Sequence, residues 1–286
     1  MPSLRDIRRR IRSIKNTARI TKAMEMVAAA KMRRAQQRVL AGRPYAETIR
    51  AVLADVVAKI PATDDGPINP LLDVRPVRRI GLILITSDRG LAGGFNANMT
   101  RRAAQFIFES AVPVSVVTIG RKGRDFMVRL GWDLRADYSN LGDYPTLLDT
   151  TPISRVVMDD FRSGYVDEVY LGYSKFVNTM VQRPVIEKLL PIDPPPDLDR
   201  TEFLYEPSPE AVLDALVTRY VEMQVYHAVL ENSASEHSAR MVAMRNATEN
   251  ANEVVNDLTL TANKVRQEVI TKELLEIVGG VNALRG

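Results

Sequence analysis

The chain has 286 residues, 45% of them hydrophobic, so it can bury a core as one large domain or as two smaller ones. Because it has no cysteine, it cannot form a disulfide, a thiolate metal site or a cysteine nucleophile. No apolar run approaches the roughly 18 residues of a membrane span, so we predict no transmembrane segment.

The positive charge is concentrated at the N-terminus. Residues 1–40 hold twelve lysines and arginines against Asp6 and Glu25, a net charge of +10, whereas the whole chain carries +4. So dense a basic segment predicts an acidic partner, which could be nucleic acid, lipid headgroups or an acidic protein surface; the alternative is a solvated helix face. A transit peptide is also rich in arginine, but the helical pattern continues far past a cleavage point, so we expect a mature N-terminus.

The first predicted element is a long N-terminal helix, because neither glycine nor proline occurs between Ser3 and Ala41. The apolar stripe is expected to shift phase through Met24, Val27 and Ala28 toward Met32, Ala35 and Val39, and residues 42–44 predict an end or a kink. A shorter amphipathic helix follows, up to residue 60. The first apolar residues recur at alternating spacings of three and four, as in a coiled coil: Leu4, Ile7, Ile11, Ile14 and Ala18.

A small α/β domain is predicted for residues 77–190. Short apolar runs, typical of buried strands, alternate there with helical patterns, which indicates a Rossmann-like domain with a largely parallel sheet. Proline-rich linkers are predicted on either side, over 61–76 and 191–209. The expected strands cover 79–86, 114–119, 168–173 and 185–190, and the expected helices cover 96–109, 121–130 and 153–162.

The last predicted element is a very long helix, over residues 210–286. No glycine or proline occurs between Pro209 and Gly279, and 69 helical residues would span about 100 Å. Alternating steps of three and four from Leu213 to Lys272 pass eighteen positions, of which fourteen are apolar. This period predicts a coiled coil with the N-terminal helix, although a homodimeric coiled coil would show the same pattern. The seam positions that we single out are Ile7, Ile11, Ile14, Met241, Met244, Val255, Leu258 and Val265.

Few residues form a pattern that could carry chemistry. The loop at 87–96 lies between a predicted strand and helix, as phosphate-binding loops do, but it has no Gly-Lys-Ser/Thr and does not match the dinucleotide fingerprint. A tight turn is the preferred interpretation, with nucleotide binding as the alternative. Both histidines, His227 and His237, fall on the helical seam without a third ligand. We therefore predict no catalytic residue, cofactor or metal site.

Nucleic acid is the rival partner for the basic segment. Basic-zipper proteins join a basic helix to heptads, but here the basic residues share their helix with the seam instead of preceding it. Residues 1–40 also contain no aromatic side chain to stack on a base. We therefore predict no nucleic-acid partner.

Four segments, in this order, resemble F-type ATP synthase gamma subunits. They are RIRSIKNT at 10–17 with ITKAMEMVAAAKM at 20–32, then TSDRGLAGG at 86–94, ARMVAMRNAT at 239–248 and RQEVITKELLEIVGG at 266–280. The resemblance runs from end to end and implies an antiparallel coiled coil of the two terminal helices. This coiled coil would enter a ring of three alpha and three beta subunits, with the α/β domain outside it. The implied function is a non-catalytic central-stalk rotor that couples ion-driven rotation of a membrane ring to ATP synthesis or hydrolysis on the alpha and beta subunits.

The resemblance also implies partner contacts. The sequence departs from many relatives at Ala92, where they have cysteine, and in the tail at 280–283. It lacks the redox-regulated insert of chloroplast relatives, which favours a bacterial source. For a bacterial member, the resemblance implies a peripheral position on the cytoplasmic face of the plasma membrane. The implied contacts are with alpha and beta through Lys22, Met24, Met26, Arg266, Gln267 and Thr271, and with the epsilon subunit and the membrane c-ring through Tyr205 and Glu206 in the segment 203–207.

Overall fold

The structure, a computed structural model, describes residues 3–60, 69–193, 205–206 and 208–285. The chain divides into two compact units. The helical unit comprises Met1–Val27 and Met241–Gly286, and the sheet unit comprises Ala28–Arg240. Helix α1 spans Leu4–Lys59 and helix α5 spans Pro209–Arg285. Each of these long helices contributes residues to both units.

The sheet unit contains a five-stranded sheet in the order β3-β2-β1-β4-β5. Strand β1 pairs in parallel with both β2 and β4, β2 pairs in parallel with β3, and β4 pairs antiparallel with β5. The prediction of a largely parallel sheet is confirmed. The elements are β1 (Ile80–Ile85), α2 (Phe95–Glu109), β2 (Val114–Ile119), α3 (Arg121–Arg129), β3 (Leu134–Tyr138), α4 (Leu147–Arg162), β4 (Glu168–Phe176) and β5 (Gln182–Leu190), with a 3₁₀ turn at Pro70–Leu72.

The sheet unit differs from the prediction in three respects. Strand β4 runs to Phe176 and β5 begins at Gln182, so each is three residues longer than predicted, because the two strands pair as far as Phe176 opposite Gln182. Strand β3 was not predicted because Arg135 and Asp137 interrupt its apolar pattern, as suits an edge strand with half-buried and exposed positions. Helix α4 begins earlier than predicted because Thr146 caps it, with Asp149 completing a capping box. Pro152 lies inside this helix near its start.

Helices cover both faces of the sheet, which explains why nearly every residue of β1 and β2 is buried. One face packs against α2 and α3 through residues such as Met99 and Met127. The other face packs against α4 and against segments of the two long helices, including Leu53 of α1 and Val221 of α5. The two long helices therefore form part of the core of the sheet unit.

Helix α5 meets this core along a different stripe from the predicted heptad. Val217, Val221 and Val225 are fully buried, whereas the heptad positions from Leu216 to His227 are only partly buried. Residues four apart form a ridge that is inclined to the helix axis, whereas a mean spacing of 3.5 follows the seam of a supercoil. The predicted seam is therefore wrong between 216 and 227.

The helical unit is an antiparallel coiled coil formed within one chain, as predicted. The Thr21 and Thr248 hydroxyls lie 2.7 Å apart, and Arg245 Nε donates to Glu25 Oε1 at 3.2 Å. Residue numbers thus rise along α1 as they fall along α5. Of the selected seam residues, Ile7, Met241, Met244 and Val255 are buried, and Ile11, Ile14, Leu258 and Val265 are partly buried.

The stripe of α1 does not shift phase as expected. It continues in register through buried Thr21, Glu25 and Ala28, whereas Val27 is 55% exposed. Thr21 and Glu25 are polar and occupy successive seam positions, so the apolar pattern of the sequence indicated a change of phase there. Nor does α1 end at 42–44: it runs through Pro44 to Lys59. The carbonyl of Leu40, which Pro44 leaves without a helical donor, belongs to an exposed residue.

Candidate partner interface

The loop that follows β1 is held by its own hydrogen bonds. Ser87 N–H and Oγ both donate to Asn96 Oδ1 at 3.0 Å. The Asp88 carboxylate accepts from the backbone N–H of Arg121 at 3.1 Å and of Asn140 at 2.9 Å. Leu91 adopts a left-handed φ of 61°. These contacts fit the tight turn that we preferred from the sequence.

The carboxyl edge of the parallel strands is the place where doubly wound proteins bind nucleotides. Here it contains a cavity of about 60 Å³, far smaller than the several hundred Å³ of a typical ligand pocket. Strand ends contribute Thr86 and Gly120 to its wall, and α5 closes it with Asn232 and Glu236. The protein's own helix thus occupies this crevice.

A polar contact on the seam of the helical unit holds one of the predicted interface residues, Lys22, in place. The Lys22 ammonium donates to Glu25 Oε2 at 3.0 Å, and the Lys22 side chain is 57% exposed. This hydrogen bond, helped by Arg245, lowers the pKa of the buried Glu25 carboxyl. Glu25 therefore holds the Lys22 charge at the helix surface. Neither Glu25 nor Arg245 was predicted as a site residue from the sequence. The available signal was Glu25 itself, an acidic residue in a segment with twelve lysines and arginines.

The two neighbouring methionines differ. Met26 is 60% exposed, and Met24 is partly buried. Met26 is therefore available to a partner, and Met24 is available only in part.

The end of α5 is bare. Arg266, Gln267 and Thr271 are exposed, and so is every other side chain described between 266 and 279. Exposed apolar groups at such density mark an interaction site in a soluble protein. The apolar residues of this segment, which we call the bare tip, are Val269, Ile270, Leu274, Leu275, Ile277 and Val278.

The predicted foot is described only at Tyr205 and Glu206, since residues 203, 204 and 207 lie outside the described residues. The Tyr205 hydroxyl donates to the Asp55 carboxylate of α1. Burial, together with this partner, raises the pKa of Tyr205 well above its usual range. Glu206 stands at an open, mainly apolar cavity of about 590 Å³ that also contacts Ile49 of α1 and Leu216 of α5.

The histidines lie on α5. His237 is buried against Arg240, with Nδ1 3.4 Å from Nη1. Burial, followed by the charges of Arg240 and Lys31, lowers the pKa of His237 to about 4, so it is neutral at pH 7. Within the described ranges, no three histidine, aspartate or glutamate side chains are grouped so that they could hold a metal ion. Nor does any described helix have the length and apolarity needed to cross a bilayer.

Comparison with known proteins gives a consistent match along the whole chain. The family model described as ATP synthase matches residues 3–284. An ATP synthase gamma chain of Dehalococcoides mccartyi strain CBDB1 is 55% identical over 287 residues, covering 99% of this chain and 100% of the relative. One of Roseiflexus castenholzii is 56% identical over 290 residues, covering 99% of each.

Solved structures agree with this match. The central stalk and c-ring structure of the Tetrahymena thermophila mitochondrial ATP synthase contains a chain that is 28% identical, with a TM-score of 0.62, covering 80% of this chain and 99% of that one. A chain of the Euglena gracilis mitochondrial ATP synthase in rotational state 3 has a TM-score of 0.68 at 20% identity, covering 98% and 94%. At that identity the second likeness concerns the fold alone.

Proposed function

Because this chain belongs to the ATP synthase gamma chain family, we propose that it is the central-stalk rotor subunit of an F-type ATP synthase. It turns with the membrane c-ring and couples ion-driven rotation to ATP synthesis or hydrolysis on the alpha and beta subunits. The observation that carries this proposal is the antiparallel coiled coil, in which α5 continues past its partner helix as the bare tip. An apolar helix end of this kind needs a partner to cover it.

The proposed contacts with alpha and beta lie on the helical unit. The bare tip, with Arg266, Gln267 and Thr271, fits a collar of apolar and polar groups from the ring. Lys22 and Met26 fit an acidic loop with an apolar flank, because one carries an anchored charge and the other an exposed thioether. Met24, which is partly buried, has a smaller share in this contact.

The proposed contact with the epsilon subunit and the c-ring lies on the sheet unit, at Tyr205 and Glu206. Tyr205 is fixed by its hydrogen bond to Asp55, so the adjacent Glu206 has a defined position beside the open apolar cavity. An apolar surface with a charged rim is the usual composition of a protein interface.

The chain supplies mechanical coupling, and the nucleotide chemistry takes place on its partners. The crevice that would hold a nucleotide is filled by α5, which supports this division. We place the protein on the cytoplasmic face of a bacterial plasma membrane, as a peripheral subunit.

Coexpression with the alpha, beta and epsilon subunits tests this function. We expect one copy of the chain for three alpha and three beta subunits, and ATP-driven proton pumping once the complex is joined to its membrane sector. A catalytically active alpha and beta assembly without this chain should hydrolyse ATP but pump no protons. Equal pumping with and without the chain, or recovery of the chain as a homodimer on DNA, would contradict the proposal.

A further inference from the structure

The topological switch point of the sheet lies between β1 and β4. Strand β1 pairs with β4 from Ile80 opposite Glu168 to Leu84 opposite Gly172. After Leu84, the residues that follow β1 turn away from β4 and toward β2, where Thr86 N–H donates to Ile119 O at 2.8 Å. Among the residues that the structure describes, no strand therefore lies beside the last part of β4 on this side, although its backbone N–H groups there still need acceptors.

Side chains of α5 provide those acceptors. Ser174 N–H donates to Asn232 Oδ1 at 3.2 Å, and Phe176 N–H donates to Glu231 Oε2 at 2.9 Å. Asn232 is 3% exposed and Glu231 is 7% exposed. Within the part of the chain that the structure describes, no cation lies within 4 Å of the Glu231 carboxylate. The fixed partner of this buried carboxylate is the strand backbone.

A second polar contact lies nearly two helical turns further along α5. Ser238 Oγ donates to Thr179 O at 2.7 Å, in the turn between β4 and β5, and Gln182 Nε2 donates to Ser238 Oγ at 3.4 Å. Apolar packing around Val225 and Val229 holds α5 against the sheet, but such packing has no preferred direction. Hydrogen bonds are directional, so they determine how far α5 can slide or turn on the strand.

We propose that Glu231 and Asn232 form an internal key: they fill the β1–β4 switch point in place of a ligand and lock the α/β domain to α5. In doubly wound proteins this crevice receives a bound cofactor. Here the side chains of a helix enter it and bind the backbone N–H groups of β4. The crevice that would bind a nucleotide holds part of the protein's own helix α5 instead, and this contact does not depend on which partner the α/β domain contacts.

Amide hydrogen exchange on the full chain tests the key directly. In Asn232→Ala and Glu231→Ala, we expect the amides of Ser174 and Phe176, respectively, to exchange roughly tenfold faster or more, because each loses a buried acceptor. Glu231→Gln, which keeps an acceptor oxygen, should retain the protection. Ser233→Ala is the matched control, since this residue lies on the same turn and lines the small cavity. Unchanged exchange at 174 and 176, or equal acceleration along the whole chain, would overturn the proposal.

Spin-label distances test whether the key holds the helix against the sheet. The chain has no cysteine, so Arg102→Cys on α2 and Ala215→Cys on α5, both exposed positions, can be labelled selectively. The double variant Glu231→Ala with Asn232→Ala should broaden or displace the distance distribution between these labels, with Glu231→Gln close to the native distribution. An unchanged distribution in a folded double variant would show that apolar packing alone holds α5.

Discussion

At the scale of single residues, polar groups define the pairing of the coiled coil. Thr21 and Glu25 occupy successive seam positions of α1 and meet Thr248 and Arg245 of α5. Sliding one helix by a turn would separate both pairs, so the buried Thr21 and Glu25 would lose these hydrogen bonds between the helices. Polar residues at seam positions specify register in this way at some cost in stability. Apolar seam residues alone would tolerate several registers.

The Glu25 carboxylate gives this pairing a pH dependence. Its hydrogen bond from Lys22 lowers its pKa below the ordinary value of 4.5, so its contribution to stability is full above about pH 4.5 and is lost as the pH falls through the lower, folded-state value. Thermal unfolding measured from pH 7 to pH 3 should therefore show a steeper acid loss in the native chain than in Glu25→Gln. Glu253→Gln, at an exposed position of α5, should keep the native steepness. If the unfolding temperatures of the native chain and of Glu25→Gln fell equally with pH, the Glu25 carboxylate would make no pH-dependent contribution to stability.

Met244 tests the apolar part of the seam. It is 5% exposed, so Met244→Asp would place a carboxylate among apolar groups and should lower the free energy of unfolding by on the order of 3 kcal/mol. Asn246→Asp, at an exposed position two residues away, should change it by less than about 0.5 kcal/mol. Thermal or urea unfolding measures both. Similar losses in the two variants would contradict the seam as described.

At the scale of elements, α5 changes its role along its length. Near its start it packs on the sheet with a spacing of four, through Val217, Val221 and Val225. Glu231 and Asn232 then bind the edge of β4. From 241 to 265 it follows the spacing of a coiled coil, and from 266 to 279 its side chains are exposed. A single helix therefore contributes to the core of the sheet unit, binds β4 through Glu231 and Asn232, forms one strand of the coiled coil and ends in the bare tip.

The bare tip is expected to matter for assembly and not for folding. Leu274 and Leu275 are 57% and 67% exposed, so changing both to serine should leave the unfolding temperature of the isolated chain nearly unchanged, since exposed substitutions usually have small effects. The same change should weaken binding to an alpha and beta assembly, because a partner would lose apolar contact area. Calorimetry of the chain and titration with the assembly separate the two effects. A large loss of stability in the isolated chain would mean that the tip is part of its fold.

At the scale of the whole molecule, the positive charge is concentrated in the first 40 residues, and the exposed apolar residues of the bare tip lie near the end of α5. The first 40 residues carry +10, and the rest of the chain carries −6. The basic residues of α1 that precede Lys22 are all exposed. This distribution favours fast, salt-dependent encounter with an acidic partner, with the apolar tip then contributing to affinity.

Lys22 provides the test of this encounter. Lys22→Gln removes the charge without setting a second carboxylate beside Glu25, and it should weaken binding to the alpha and beta assembly by about two- to fivefold at low ionic strength. The difference from the native chain should shrink as salt is raised, because screening acts over about 10 Å at ~0.1 M. Lys122→Gln, at an exposed position of α3, is the control. Equal loss from both variants, or a loss that does not depend on salt, would remove Lys22 from the interface.

The sequence by itself determined the two long helices, the largely parallel sheet and the family, because helical periodicity, short apolar runs and four local motifs are properties of neighbouring residues. It did not reveal β3, whose charged residues are acceptable only at a sheet edge. It also misplaced the stripe of α1, since Thr21 and Glu25 look like breaks until Thr248 and Arg245 are brought beside them.

Only the tertiary structure decided what α5 packs against at each point, and hence where its spacing changes from four to 3.5. The same is true of the key at Glu231 and Asn232. Their place in the sequence is that of polar residues in a helix, and they have a defined role only because β4 extends past β1 and leaves two backbone N–H groups facing them. Contacts between residues more than fifty positions apart depend on how the chain returns on itself, and no local pattern records that.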